Sequence, residues 1–245
     1  MTRILYIDDE SALLTLTRIY LKEEADLDVD TSSSPVEGLK MLRESSYDAI
    51  ISDYDMPEID GIEFLKQVRE YDCSIPFIVF TGKGREEVAI EALNHGADFY
   101  IQKEGDPRTI FTELSNAINH LVRRNHAERN ATLTEQQLRA FLDSLTDLAF
   151  IKGPDLTLVY GNHAYLAFLD KGPLEMVVGR SDEALLPPGL VASCRRSDEA
   201  VIESRRALIS EEKAGNRTFH VQKFPLPFPG GKTGVGGIIH EISRG

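Results

Sequence analysis

Cysteine is nearly absent. Cys73 and Cys194 are the only two in 245 residues. Their wide separation argues against a disulfide scaffold or a cysteine-based zinc site. No apolar run approaches the roughly 18 residues that cross a bilayer. The opening MTRILYIDDE turns acidic before a signal-peptide apolar segment can form. The expectation is a cytoplasmic chain without membrane contact. Internal repeats and low-complexity segments are also missing. Positive charge is in short supply, with 27 Lys and Arg against 40 Asp and Glu and a net charge of −13. The whole deficit lies in residues 1–121, which hold 25 acidic and 11 basic side chains, whereas residues 122–245 hold 15 and 16. An acidic half repels nucleic-acid phosphates instead of releasing their counterions. The length and the asymmetry point to two domains with different tasks.

The first 121 residues alternate strand and helix signals. RILYI (3–7) is apolar and ends at Asp8-Asp9, and a helical stretch follows with Leu13, Leu16 and Tyr20 on one face. LDVDT (27–31) reads as a strand. Ser34-Pro35 then opens a helix, with Ser as N-cap and Pro at the first position. DAIIS (48–52) ends at Asp53, IPFIVF (75–80) at Thr81, and ADFYI (97–101) just before Lys103. Ile62, Leu65 and Val68 mark one intervening helix, and Val88, Ala92 and Leu93 another. From about Pro107, the residues Ile110, Leu114, Ala117, Ile118 and Leu121 form an amphipathic face. Five strand–helix units in series predict a doubly wound, five-stranded parallel sheet covered on both faces. Residues 122–140 are polar and free of Pro and Gly, which predicts a helical linker. The apolar seam continues there as Asn125, Glu128, Thr132 and Glu135, so a long coiled coil is not supported. Residues 141–245 read as an α+β domain with an antiparallel sheet: two strands around Gly153-Pro154-Asp155, helices, then three strands.

In a doubly wound sheet the carboxyl ends of all strands share one edge, and ligands bind there at the switch in strand order. With order 2-1-3-4-5, Asp8, Asp9 and Asp53 gather at that switch, with Thr81 and Lys103 beside them. Carboxylates about 4 Å apart repel by roughly 4 kcal/mol per pair at an effective dielectric near 20. Mg²⁺ resolves this, because it takes one or two carboxylates, several waters and a phosphate oxygen. With an ammonium from Lys103 and a hydroxyl from Thr81, such a site can stabilise a transferring phosphoryl group. Asp53 is then the nucleophile that becomes an aspartyl phosphate. A lone acidic pair after a strand is ordinarily a helix cap. The spacing across four strand ends favours the chemical reading.

These residues carry a resemblance. Asp8-Asp9 after ILYI, Asp53 in SDYDMP, Asp60-Gly61, Thr81-Gly82, Tyr100 and Lys103 resemble the receiver domain of two-component response regulators over the whole of residues 1–121. The resemblance implies that Asp53 is the phosphoacceptor for a sensor histidine kinase. It implies Mg²⁺ held by Asp9, Asp53 and the backbone carbonyl of Asp55, with Asp8 acting largely through water. Thr81 and Lys103 would contact the phosphoryl group, and Tyr100 would be the switch aromatic. The family usually has Pro after the Lys, often in cis, and Glu104 stands here. Asp55 and Lys83, two residues past Asp53 and Thr81, are expected to rim the pocket. Asp53-Tyr54-Asp55 also matches the DxD of haloacid-dehalogenase-type phosphatases. That family places the motif after its first strand, and here it follows the third.

The second half resembles a PAS sensor domain. Asp147 to Tyr160 reads as the opening strand pair, Asn162-His163-Ala164 as the first short helix, and Val178-Gly179-Arg180-Ser181-Asp182 as the middle loop. Glu211-Glu212 and GVGGIIHEI read as closing strands. The helix 190–207 has no His for haem, Cys194 in SCRRSD is not a photoactive flavin motif, and His163 and His220 read as surface or core residues. Arg123-Arg124, Arg195-Arg196 and Arg205-Arg206 read as solvated helix faces. The chain reads as a two-component response regulator that relays Asp53 phosphorylation to its PAS module or to a protein partner. It contains no recognised output enzyme or helix-turn-helix. The alternative is the front of a hybrid sensor histidine kinase, or its regulator in trans. A homodimer is compatible with the pattern, and no PAS ligand is named by it.

Overall fold

The computed structural model describes residues 2–82, 86–214 and 217–242. The chain divides into two compact units, Met1–Thr132 and Leu133–Gly245. Lys83 lies outside the described residues.

In the first unit, strands β1 (Arg3–Ile7), β2 (Asp28–Ser32), β3 (Ala49–Ser52), β4 (Phe77–Thr81) and β5 (Phe99–Gln102) form one parallel sheet in the order β2-β1-β3-β4-β5. Helices α1 (Ser11–Ala25), α2 (Pro35–Glu44), α3 (Gly61–Tyr71), α4 (Glu86–Asn94) and α5 (Pro107–Asp143) follow the strands in turn. Side chains alternate across each strand. Ile4 and Tyr6 therefore join one core, with α1 and α5, while Leu5 and Ile7 join the other, with α2, α3 and α4. Strands buried on both faces carry continuous apolar runs, as β3 and β4 do.

Three details depart from the sequence reading. The buried face of α1 is Leu14, Thr17 and Leu21, whereas Leu16 is half exposed. Both sets have the same helical spacing, and a threonine within the true one breaks its apolar run. Ser34 precedes α2 in an extended conformation, but its side chain makes no cap hydrogen bond. Instead its backbone N–H donates to Ser32 Oγ at 3.2 Å. On α4, Val88 and Ala92 are buried but Leu93 is exposed. The amphipathic face of α5 is buried throughout, with Phe111 and Val122 added to it. Beyond Leu121 the polar residues have structural work: Asn125 donates to the Ser74 carbonyl, His126 meets Asp48 at 2.8 Å, and Arg129 pairs with Asp72 at 2.7 Å.

In the second unit, β6 (Leu148–Lys152), β7 (Leu158–Gly161), β8 (Leu208–Ala214), β9 (Arg217–Phe228) and β10 (Lys232–Ile242) form an antiparallel sheet in the order β7-β6-β10-β9-β8. Between β7 and β8 lie α6 (His163–Leu169), α7 (Leu174–Val177), α8 (Asp182–Leu185) and α9 (Pro188–Ser204). His163 and His220 are exposed, as are Arg195, Arg196, Arg205 and Arg206.

Asn162 knits the start of this unit. It is fully buried. Its Oδ1 accepts from the N–H groups of Ala149 and Tyr165, each at 3.0 Å, and its Nδ2 donates to the carbonyls of Leu142 at 3.0 Å and Asp147 at 2.9 Å. Asn162→Ala would take from the buried Ala149 and Tyr165 their shared side-chain acceptor. We expect a loss of about 2–4 kcal/mol in the unfolding transition of the second unit, read by urea titration.

Candidate functional site

The carboxyl edge of the parallel sheet gathers the charged residues. β1 and β3 are neighbours, with Ile7 paired to Ser52, so Asp8 and Asp53 leave adjacent strands at the same level. Asp8 is fully buried and Asp53 is 5% exposed. Lys103, one residue past β5, reaches both. Its Nζ lies 2.6 Å from Asp8 Oδ2 and 2.7 Å from Asp53 Oδ1. Its backbone N–H donates to the Thr81 carbonyl at 2.8 Å, which fixes the start of the side chain. Phe80 lies beneath the ammonium, 5.4 Å from ring centre to Nζ. Charges this deeply buried persist only when paired. Here one cation answers two anions, and the cluster remains net negative.

Burial pushes the Asp53 carboxyl above its ordinary range. Lys103 opposes that shift, and the Asp8 charge adds to it. The loop after β3 is bent sharply to present Asp53. Glu58 adopts a left-handed conformation at φ 68°, and the Gly61 N–H donates to the Tyr54 carbonyl at 2.9 Å. A Cβ on Gly61 would fall 2.2 Å from the Asp53 carbonyl oxygen, so only glycine fits there. Asp60 caps α3 immediately before it, its Oδ1 accepting from the N–H groups of Ile62 and Glu63.

The remaining predicted residues are placed as follows. Thr81 ends β4 and is buried. Tyr100 lies on β5, half-buried against the core formed with α2, α3 and α4. Asp9 and Asp55 are exposed, each near a buried carboxylate along the chain. Among the described residues no three carboxylate, His or Cys side chains already surround one point. The donor chemistry nonetheless fits a hard divalent cation: buried carboxylate oxygens, a surplus of negative charge and an adjoining exposed carboxylate. Among the described residues no peptide bond is cis, that between Lys103 and Glu104 included.

Two features were not singled out from sequence. The first is Tyr6, whose buried hydroxyl donates to Asp8 Oδ2. Its signal is an aromatic residue two positions before Asp8, on the same face of an otherwise aliphatic strand. The second is an ionic network in the core of the second unit. Lys152 Nζ lies 2.6 Å from both Asp182 Oδ2 and Asp198 Oδ2, and Lys223 Nζ lies 2.6 Å from Asp198 Oδ1. Lys223 also donates to Ser197 Oγ at 2.7 Å and the Cys194 carbonyl at 3.1 Å. Burial works against the Lys152 charge, but Asp198 and Asp182 outweigh it and its pKa is raised. The network borders a cavity of about 40 Å³ walled by Phe150, Phe168, Phe219 and Ile239. Burial pushes the Cys194 thiol at its edge up to about 11, so it is not a reactive thiolate.

A doubly wound sheet with two buried carboxylates and one lysine at its switch point defines the class of the first unit. Comparison with known proteins agrees. Residues 4–115 match the response regulator receiver domain and residues 142–244 match the PAS fold, and the chain carries these two domains in that order. Response regulator SaeR of Staphylococcus epidermidis is 34% identical over 129 residues, covering 53% of this chain and 56% of that protein. SaeR of Staphylococcus aureus is 31% identical over 126 residues, covering 51% and 54%. The chain thus spans about half the length of the curated relatives it matches. A solved receiver domain from Clostridium thermocellum, 33% identical, covers 52% of this chain and 98% of its own, with a TM-score of 0.48. A Methanospirillum hungatei CheY-like receiver domain, 27% identical, covers 51% and 98% with a TM-score of 0.46. No described helix is long and apolar enough to cross a membrane.

Asp198 serves two lysines, so removing its charge leaves Lys223 with no carboxylate partner among the described residues and Lys152 with Asp182 alone. Asp198→Asn should destabilise the second unit by about 3–5 kcal/mol, read by urea unfolding. Glu241→Gln, at the exposed pair with Arg217, should leave the unfolding midpoint unchanged.

Proposed function

We propose that this chain is a two-component response regulator whose Asp53 accepts a phosphoryl group from a partner sensor histidine kinase. The observation that carries this is the Lys103 ammonium shared between buried Asp8 and Asp53 at the switch point of the sheet. An Asp53 carboxylate oxygen attacks the phosphorus of a phosphohistidine. The P–N bond breaks, the imidazole leaves and takes a proton, and an acyl phosphate forms on Asp53. Lys103 supplies positive charge to the transferring group, and the Thr81 hydroxyl donates to one of its oxygens. Asp8, Asp9, Asp53 and the Asp55 carbonyl would hold Mg²⁺. Bound there, it would neutralise negative charge on the carboxylates and the phosphoryl oxygens. The protein signals by holding the phosphoryl group and releasing it slowly. It does not turn over small phosphate esters.

The output reading rests on Tyr100 and α5. A phosphoryl group adds about −1.5 to −2 charge at neutral pH beside Thr81 and Lys103. Thr81 is drawn toward it, and Tyr100 moves into the space released. Tyr100 lies on β5, one short loop before α5. α5 runs without interruption from Pro107 to Asp143. A continuous helix passes on a shift or rotation better than a flexible tether. The PAS domain or a protein partner then reads the change.

Intact mass spectrometry with a small phosphodonor should show one added phosphoryl group on the wild type in Mg²⁺. Chelation of the metal or Asp53→Asn should remove it while the fold survives. Labelling of Asp53→Asn at the wild-type level, or repeated turnover of small phosphate esters, would sink the assignment. For the output, phosphorylation should change hydrogen exchange at residues 88–100 and 122–140. A Gly-Gly insertion near Thr132 should abolish any response in the second unit and leave Asp53 labelling intact. An equal response with the insertion present would rule out transmission through α5.

A further inference from the structure

We propose that Tyr6 is a positioning residue of the phosphoacceptor site, fixing the Asp8 carboxylate so that one side of it meets the divalent cation. This rests on the function proposed above. Tyr6 and Asp8 stand two residues apart on β1 and its extension, so both side chains leave the same face of the sheet. Both are fully buried. The Tyr6 hydroxyl and the Lys103 ammonium both donate to Asp8 Oδ2, and the Glu10 N–H donates to Oδ1 at 2.9 Å. A carboxylate offers about four lone-pair sites. Among the described residues three of them are used, and Oδ2 carries two donors. One lone pair on Oδ1 then remains for a metal ion or its bound water. Tyr6 therefore decides which oxygen of Asp8 is left for the cation.

The phenol ring is fixed, packed against Phe80 at a centroid distance of 6.3 Å, and Phe80 is the ring beneath Lys103. Tyr6, Phe80 and Lys103 thus form one wall behind Asp8. The bland alternative is that a buried phenol simply needs an acceptor and Asp8 happens to be near. That alternative predicts lost stability without altered metal binding.

The test uses the full chain with MgCl₂ as the probe, read by calorimetric titration at a temperature where every variant is folded. Tyr6→Phe keeps the ring and removes the hydroxyl. Groups that orient a metal ligand typically contribute 10–100-fold in affinity. We expect Mg²⁺ affinity to fall by about tenfold and the phosphodonor labelling rate to return close to the wild-type value once Mg²⁺ is saturating. Tyr47→Phe is the control. The Tyr47 hydroxyl donates to Asp30 Oδ2 at 2.9 Å, on β2 and outside the phosphoacceptor cluster. It should leave Mg²⁺ affinity unchanged. Unchanged affinity in Tyr6→Phe overturns the proposal while wild-type labelling still stands, whereas a wild type that is never labelled overturns the underlying function instead. If Tyr6→Phe does not fold, NMR of ¹³C-tyrosine wild-type protein decides. Mg²⁺ should shift the Tyr6 Cζ resonance, and a resonance that does not move overturns the proposal.

Discussion

One ammonium shared between two buried carboxylates organises the first unit. Asp8 and Asp53 are brought together by the pairing of β1 with β3, two central strands that carry little but apolar side chains. Their charges would drive that edge apart if left alone. Lys103 holds them from the far side of the sheet, with its backbone tied to Thr81. Because a single positive charge answers two negative ones, the site keeps an appetite for further cationic charge. That residual imbalance is the physical basis for expecting a divalent metal there, whose charge would in turn offset that of a phosphoryl group.

The second unit handles buried charge differently. Lys152, Asp182, Asp198 and Lys223 are balanced two against two, and each oxygen of Asp198 serves a different lysine. The network ties α8, α9, β6 and β9 together, and removing one member of such a buried set costs more than the intact set contributes. It leaves the apolar cavity beside it walled mainly by aromatic and aliphatic side chains. The same residue types therefore do two jobs in one chain. The cluster at the sheet edge carries surplus negative charge, and the one inside the core of the second unit is balanced.

Much of this was legible in the sequence, for identifiable reasons. Strands β1, β3 and β4 are apolar runs ending in chemistry-bearing residues, so both their positions and the meeting of Asp8 with Asp53 and Lys103 could be read. The face of α1 could not, because Thr17 interrupts the buried stripe and Leu16 imitates it one residue away. Nor could the Lys–Asp network, since Lys152, Asp182, Asp198 and Lys223 lie far apart in sequence and each reads as an ordinary surface charge. The polar stretch after Leu121 showed its helical character but not its purpose. Asn125, His126 and Arg129 are anchors to the first unit, and anchors of this kind have no periodic signature. Tyr6 was visible only as one more strand aromatic until its hydroxyl was seen to meet Asp8.

The central claim is that the shared-lysine cluster makes Asp53 a phosphoryl acceptor. Its most direct test is peptide mapping of the full chain after incubation with acetyl phosphate and Mg²⁺, under mild conditions that preserve an acyl phosphate. The account predicts a single modified peptide, the one carrying Asp53, with the modification released by hydroxylamine. A phosphoryl group found on a histidine or on any other peptide, or no modification under saturating phosphodonor, would contradict it.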